Sequence, residues 1–280
     1  MTDTPVLLEV HQRVAVVTLN RPDARNALSR RLLSELRRTM ADLDERPDVD
    51  VVVLTGADPA FCAGLDLKEL GRDGGVLNDD RPAGAATTPA TTPVTTAAAP
   101  SAADGPGRRR TVLASSKPVI GAVNGVAVTG GLELALNCDF LIASERARFA
   151  DTHARIGVQP LWGLTVLLPE AVGLRRAREM SASGNFVDAA TALTWGLVNH
   201  VVPHDELLPF ACRLAADITS SDQHALRTLL ETYRQSSLLT GADAWALETA
   251  RAAEFHGPGV DPAEIERRRA GVVDRGRSQV

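Results

Sequence analysis

The passage from Pro118 to Asp139 constrains this chain more than any other. An apolar run, Pro118-Val-Ile-Gly-Ala-Val123, gives way to Asn124-Gly-Val-Ala-Val-Thr-Gly-Gly-Leu-Glu-Leu-Ala-Leu-Asn-Cys-Asp139. A short continuous apolar run reads as a strand buried on both faces. Gly125, Gly130 and Gly131 let the backbone turn and let a ligand approach the main chain. The helix that follows offers unpaired N–H groups at its start, and these attract negative charge. Glu133 stands one turn into it, where a carboxylate can serve as general acid or base. The passage therefore reads either as an oxyanion-binding turn with an acid/base beside it, or as a glycine-rich connection with a solvated Glu.

The rest of the chain repeats the strand–loop–helix grammar. Val6 to Val10 and Val14 to Leu19 read as a strand pair. Asn20 to Asn26 is a loop, and Ser29 is a natural cap for a helix with Leu32, Leu33, Leu36, Met40 and Leu43 on one face. Val49 to Leu54 is a buried-type strand, and a short helix surrounds Lys68 to Leu70. Further strands are expected at Val119 to Val123, Phe140 to Ala143, Ala147 to Ala150 and Leu197 to Val202. Helices are expected at Leu164 to Ala171, Arg175 to Ser181 and Val187 to Trp195. Only helical patterns follow: Asp205 to Thr219, Gln223 to Gln235, Gly241 to Phe255 and Pro262 to Gly276, with Asp205 and Asp222 as caps for the first two. This order gives an α/β core over 1–203 and a helical region over 204–280. Inside the core, 72–110 is Ala/Thr/Pro-rich and reads as a flexible insertion, because so few large apolar side chains cannot offset its ordering entropy, with an ordered lid as the alternative.

Composition narrows the function. A hydrophobic content of 44% supports a globular core, and the net charge of −5 argues against bulk nucleic-acid binding. No run of apolar residues is long enough for a membrane span, and the N-terminus lacks the pattern of a signal peptide. Cys62, Cys138 and Cys212 form no paired motif, which points to a reducing cytoplasm and no structural zinc. Of the 30 basic residues only Lys68 and Lys117 are lysine.

A second loop has the design of the first. Ala60-Phe-Cys-Ala-Gly-Leu-Asp-Leu67 also places glycine just before a helix start. If the free N–H groups of both loops converge, they form an oxyanion hole, worth about 3–4 kcal/mol per donor in lowering a barrier. A thioester carbonyl polarised there becomes acidic at its α-carbon. No Gly-x-Ser-x-Gly elbow, GxGxxG or GxxxxGK[ST] occurs, which weighs against nucleophilic acyl transfer, dinucleotide binding and P-loop chemistry.

These two loops, with Asn20-Arg-Pro upstream running to Asn26-Ala-Leu28, resemble the enoyl-CoA hydratase/isomerase (crotonase) superfamily. Lys117-Pro-Val-Ile, Cys138-Asp-Phe-Leu-Ile-Ala-Ser144 and Trp195-Gly-Leu-Val198 match as well. The resemblance implies a spiral of ββα units with a C-terminal helical region that trimerises, giving a homotrimer or a homohexamer. It implies an acyl-CoA or enoyl-CoA substrate, with CoA as the substrate's handle and no separate cofactor. Carried over by position, the oxyanion donors fall on Leu65 and Gly130 and the first catalytic carboxylate on Glu133. The CoA-binding loop matches Arg25 to Ala27. The second loop adds Ala63, Asp66, Leu67 and Lys68 to the substrate-binding set, with Lys68 either a point charge for a phosphate or a solvated helix residue. Trp162 is either pocket floor or simply core.

One departure bears on the reaction. Hydratases that this chain resembles carry a second Glu about 20 residues after the first, and here that position is His153. It titrates near neutrality and can take the partner's role, or it can be a packed pocket histidine. Asp66, Asp139 and Asp151 show no spacing that makes them catalytic, and His200 and His204 read as surface or turn residues. Three functions follow: hydration of a trans-2-enoyl-CoA, double-bond isomerisation by Glu133 alone, and acyl-CoA binding without turnover.

Overall fold

The computed structural model describes residues 4–76, 113–237, 239–256 and 262–278. From residue 77 onward, the segment expected as a flexible insertion lies outside them. The chain begins with an antiparallel pair, β1 (Val6–His11) and β2 (Val14–Leu19), in which His11 faces Val14. The two-residue turn needs positive φ at both positions, and Gln12 and Arg13 supply 48° and 68°. Neither is glycine. Asp50 holds Arg13 in place, accepting from both its Nε and its Nη2.

Ser29 caps α1 (Arg30–Glu45) by accepting from the Leu32 N–H at 3.2 Å. Leu32, Leu33, Leu36, Met40 and Leu43 form its buried face. Three strand–strand–helix units follow in order. They are β3 (Val51–Gly56), β4 (Ala60–Cys62) and α2 (Leu67–Asp73); β5 (Val119–Val123), β6 (Val126–Val128) and α3 (Gly130–Leu136); and β7 (Phe140–Ser144), β8 (Arg148–Ala150) and α4 (His153–Ile156). The first strand of each unit joins a six-stranded sheet of order β1-β2-β3-β5-β7 that His200–Val202 (β10) closes, and the second joins a four-stranded sheet of order β4-β6-β8 that Val187–Asp188 (β9) closes. The chain thus winds forward as a spiral of ββα units. It continues through α5 (Leu164–Val172), α6 (Leu174–Ser183), β9 (Val187–Asp188), α7 (Ala189–Trp195) and β10 (His200–Val202).

The continuous apolar strands have a simple cause. On β3, Val52 and Leu54 enter the core beside α1, while Val51 and Val53 face the opposite core with α8 (Leu207–Thr219). Strand β5 divides likewise, with Val119 and Val123 on one side and Ile120 and Ala122 on the other. Leu207, Ala211 and Ala215 of α8 cover that second face. A helix expected to open the C-terminal region after residue 203 is therefore part of the core. The first compact unit runs to Arg227, inside α9 (Gln223–Ser236), and the second spans Thr228–Val280. The second contains α10 (Gly241–His256) and α11 (Pro262–Ser278), and leaves Tyr233, Trp245, Ile265 and Val272 exposed.

Two boundaries differ from the sequence expectation. Val187–Asp188 is not the first turn of a helix but a strand paired with Arg148 and Phe149, and Asp188 then caps α7 by accepting from Thr191 N–H at 2.8 Å. Asp205 does not cap α8, because His204–Glu206 forms a 3-10 turn and Glu206 takes the cap position without a side-chain bond. Asp222 does cap its helix, accepting from Ala225 N–H at 2.6 Å.

Candidate active site

The two glycine loops converge. Leu28 and Leu65 form an isolated parallel bridge, with Leu28 N–H donating to Gly64 O and Asp66 N–H to Leu28 O. Gly64 has φ 87°, and a Cβ there would lie 2.6 Å from Val128 O and 3.5 Å from the Gly130 nitrogen. A Cβ on Gly130 would in turn touch Leu28 at 3.1 Å, Trp162 at 3.3 Å and Leu65 at 3.8 Å. Only residues without a side chain let these backbones approach so closely. Among the described residues no protein acceptor takes a bond from the N–H of Leu65 or of Gly130. Two free donors thus stand beside a wall made by Leu28, Leu65 and Trp162, all buried.

Thr129 aims the second donor. It sits at φ 55° and ψ −115°, a region that a β-branched residue occupies only under constraint. The constraint comes from its N–H bond to Ala150 O and from a side-chain hydrogen bond between Thr129 and Thr152. The same contacts tie the start of α3 to the segment carrying His153.

The second part of the site is a row of three buried ionisable side chains. Glu133 Oε2 lies 3.3 Å from His153 Nε2, and His153 Nδ1 lies 2.6 Å from Asp151 Oδ1. Glu133 Oε1 accepts from the Trp162 N–H at 2.7 Å. Asn137 secures that arrangement by donating to both Glu133 O and Trp162 O. Burial works against charge on His153, but the hydrogen bonds and negative charges of Asp151 and Glu133 outweigh it and raise its pKa to about 9. Burial likewise opposes ionisation of Asp151, yet its bonds from His153 and Ser181 hold it below the ordinary carboxylate value. A carboxylate, an imidazole and two free N–H groups in one buried place can activate water, deliver a proton and stabilise an oxyanion.

The other sequence-derived residues frame this centre. Ala63 N–H donates to Arg25 O, and Arg21 joins the two loops by donating to Ala27 O and to Asp66 Oδ2. Asp66, expected in the substrate-binding set, is occupied with structure: it caps α2 through Lys68 and Glu69 N–H and pairs with Arg21. Ala27 is buried, Ala63 is half-buried, and Leu67, Lys68 and Arg25 are exposed at the mouth of the loops. Trp162 is buried against Gly130 and forms part of the wall.

Sequence reasoning passed over two residues. Asp151 belongs to the buried row, and the available signal was Asp-x-His, in which the acid reaches back to both the N–H and the ring of the residue two ahead. His204 is not a loose surface residue, since it bridges Ser144 Oγ and Asp58 Oδ2 at 3.0 Å each. Ser144 is fully buried, so this second row pins β7 to the β3–β4 loop rather than facing a ligand. A cavity of about 420 Å³ lined by Arg148, Phe186, Asp188 and Trp195 contains none of the candidate site residues. Among the described residues no group of three His, Cys, Asp or Glu is placed to hold a metal ion.

Comparison with known proteins identifies the family. The enoyl-CoA hydratase/isomerase family profile matches residues 9–100 and 107–256. A probable peroxisomal enoyl-CoA hydratase of Arabidopsis thaliana is 34% identical, over 94% of this chain and 90% of its own. A crotonyl-CoA hydratase of Syntrophomonas wolfei is 31% identical over 96% and 98%. The crystal structure of an enoyl-CoA hydratase from Mycobacterium avium superposes with a TM-score of 0.69 at 46% identity, covering 91% of this chain and 99% of that one.

Proposed function

The chain belongs to the enoyl-CoA hydratase/isomerase family, and from that premise we propose that it is a hydro-lyase adding water across the double bond of a trans-2-enoyl-CoA. The observation that carries the reading is the Glu133–His153 contact at 3.3 Å beside the unpaired Leu65 and Gly130 N–H groups. In this reading the two N–H groups receive the thioester oxygen and stabilise the enolate that forms as water attacks Cβ. Glu133 takes a proton from water, and His153 supplies one to Cα. Syn addition requires both groups on one face of the substrate, and their contact places them together. Isomerisation asks less of the site, because one carboxylate can carry a proton between two carbons. A second titratable group packed against Glu133 favours hydration.

The same reading covers the remaining contacts. Arg25 and Lys68 are exposed cations beside the two loops and suit the phosphates of CoA. Exposed Tyr233, Trp245 and Val272 in the C-terminal helices suit assembly as a homotrimer or homohexamer, in a cytoplasmic setting that keeps the cysteines reduced. The test is a panel of 2-enoyl- and 3-enoyl-CoA thioesters assayed with the wild-type protein and Glu133→Gln. Hydration of 2-enoyl-CoA that falls at least about a thousandfold in the variant supports the reading. Full activity in the variant, or turnover of 3-enoyl-CoA alone, overturns it.

A further inference from the structure

His153 has an acidic side chain on each ring nitrogen. Asp151 Oδ1 stands 2.6 Å from Nδ1 and Glu133 Oε2 stands 3.3 Å from Nε2. An ionised carboxylate only accepts, so two ionised carboxylates require both ring nitrogens to donate. Asp151 is itself held in place. Its Oδ1 also accepts the His153 main-chain N–H at 3.1 Å, and Ser181 of α6 bonds its carboxyl group. The charged groups facing the ring are Glu133 from α3 and Asp151 two residues before it. Glu133 Oε1 is committed to the Trp162 N–H, so any proton that Glu133 carries sits on Oε2, toward His153.

We propose that Asp151 is a positioning residue that holds His153 as an imidazolium, so that Glu133 and His153 pass one proton between them in each catalytic cycle. This rests on the hydratase reading above. The resting site is Asp151 carboxylate, His153 imidazolium and Glu133 carboxylate. Water's oxygen bonds to Cβ and one of its protons goes to Glu133 Oε2, while the π electrons shift toward Cα and the thioester oxygen. The Nε2 proton of His153 then bonds to Cα as the enolate's electron pair returns, leaving the lone pair on Nε2. Glu133 now holds a proton and His153 lacks one. The Oε2–Nε2 contact returns it directly, restoring the resting site with no exchange through bulk water. Both protonation states fit the same side-chain positions, because Nδ1 of His153 keeps its proton and donates it to Asp151 throughout.

The experiment is Asp151→Asn, whose amide keeps the shape and removes the charge. We expect kcat to fall roughly tenfold or more with KM within about twofold. We also expect the alkaline limb of the kcat–pH profile, near pH 9 in the wild type, to move toward neutrality by about one unit or more. An unchanged kcat, or a loss at every pH with the limb unmoved, overturns the proposal. A second measurement needs neither turnover nor that variant. In protein labelled with ¹⁵N-histidine, the His153 signals are assigned by their loss in His153→Gln. Both ring nitrogens should be protonated at pH 8 in the wild type, and one protonated nitrogen there overturns the proposal. If the wild type hydrates no enoyl-CoA, the reaction reading fails, while the ring-nitrogen measurement still decides the charge on His153.

Discussion

Replacing His153 by Gln removes the cation between two buried carboxyl groups, and the structure sets the size of the effect. The side chains of His153, Glu133 and Asp151 are 6%, 3% and 4% exposed, so water screens them little. Raising the His153 pKa from 6.5 to about 9 stabilises the folded state by roughly 3 kcal/mol, at about 1.4 kcal/mol per unit. Breaking a buried ion pair by removing one partner costs about 3–5 kcal/mol, so the two routes agree. The pH dependence follows from sign. His153 has a raised folded pKa, so its contribution is complete below about pH 6.5 and is lost as pH rises through about 9. Asp151 has a lowered pKa, so its contribution is complete above about pH 4 and is lost as pH falls further. The stability gap between wild type and His153→Gln should therefore be widest between about pH 4 and 6.5 and should close on both sides. Urea unfolding of both proteins from about pH 2 to 10 measures it. A gap that stays constant across that range would refute the reasoning.

Further outcomes follow from packing. Gly131→Ala places a methyl group onto the Cys62 carbonyl, with the Cys62 carbon only 2.8 Å away. Both are backbone atoms at the end of β4 facing the start of α3, so we expect a loss of about 3 kcal/mol in chemical denaturation, the upper end of overpacking costs. Burial pushes the Cys62 thiol up to about 12 and raises Cys138 further, while Cys212 is only half-buried and raised less. A thiol reagent at pH 8 should therefore label at most Cys212 in the native protein and all three cysteines in denaturant.

Much of this architecture was legible because burial leaves periodic marks. The unbroken Val51-Val-Val-Leu54 predicts a strand covered on both faces, and α1 and α8 provide the two covers. Ser29 and Asp222 announce their helices because a cap bond depends only on local chain geometry. The strands Ala60–Cys62 and Val126–Val128 are three residues long, too short for any period to show, and they form only because each finds a parallel partner in the small sheet. That α8 packs onto the core was hidden for a related reason. Helical periodicity reports that α8 has an apolar face, not which surface that face covers.

The site divides in the same way. Gly64 and Gly130 are visible because they stand before helix starts, and the parallel pairing of β4 with β6 brings their loops together. Glu133 and His153 are 20 residues apart and meet because β6 and β8 are parallel neighbours that deliver α3 and α4 from the same end of the small sheet. Asp151 was passed over because its partner lies two residues away, across a turn whose shape no periodicity records. Its carboxylate stands 2.6 Å from His153 Nδ1 and raises the basicity of the ring.

The most direct test of the central claim is the rate of hydration of a trans-2-enoyl-CoA by wild type and by Glu133→Gln, measured by loss of the conjugated thioester absorbance. The wild type should hydrate, and the variant should show a kcat lower by at least about a thousandfold, with its fold and CoA-ester binding intact. Equal rates in the two proteins would contradict the claim.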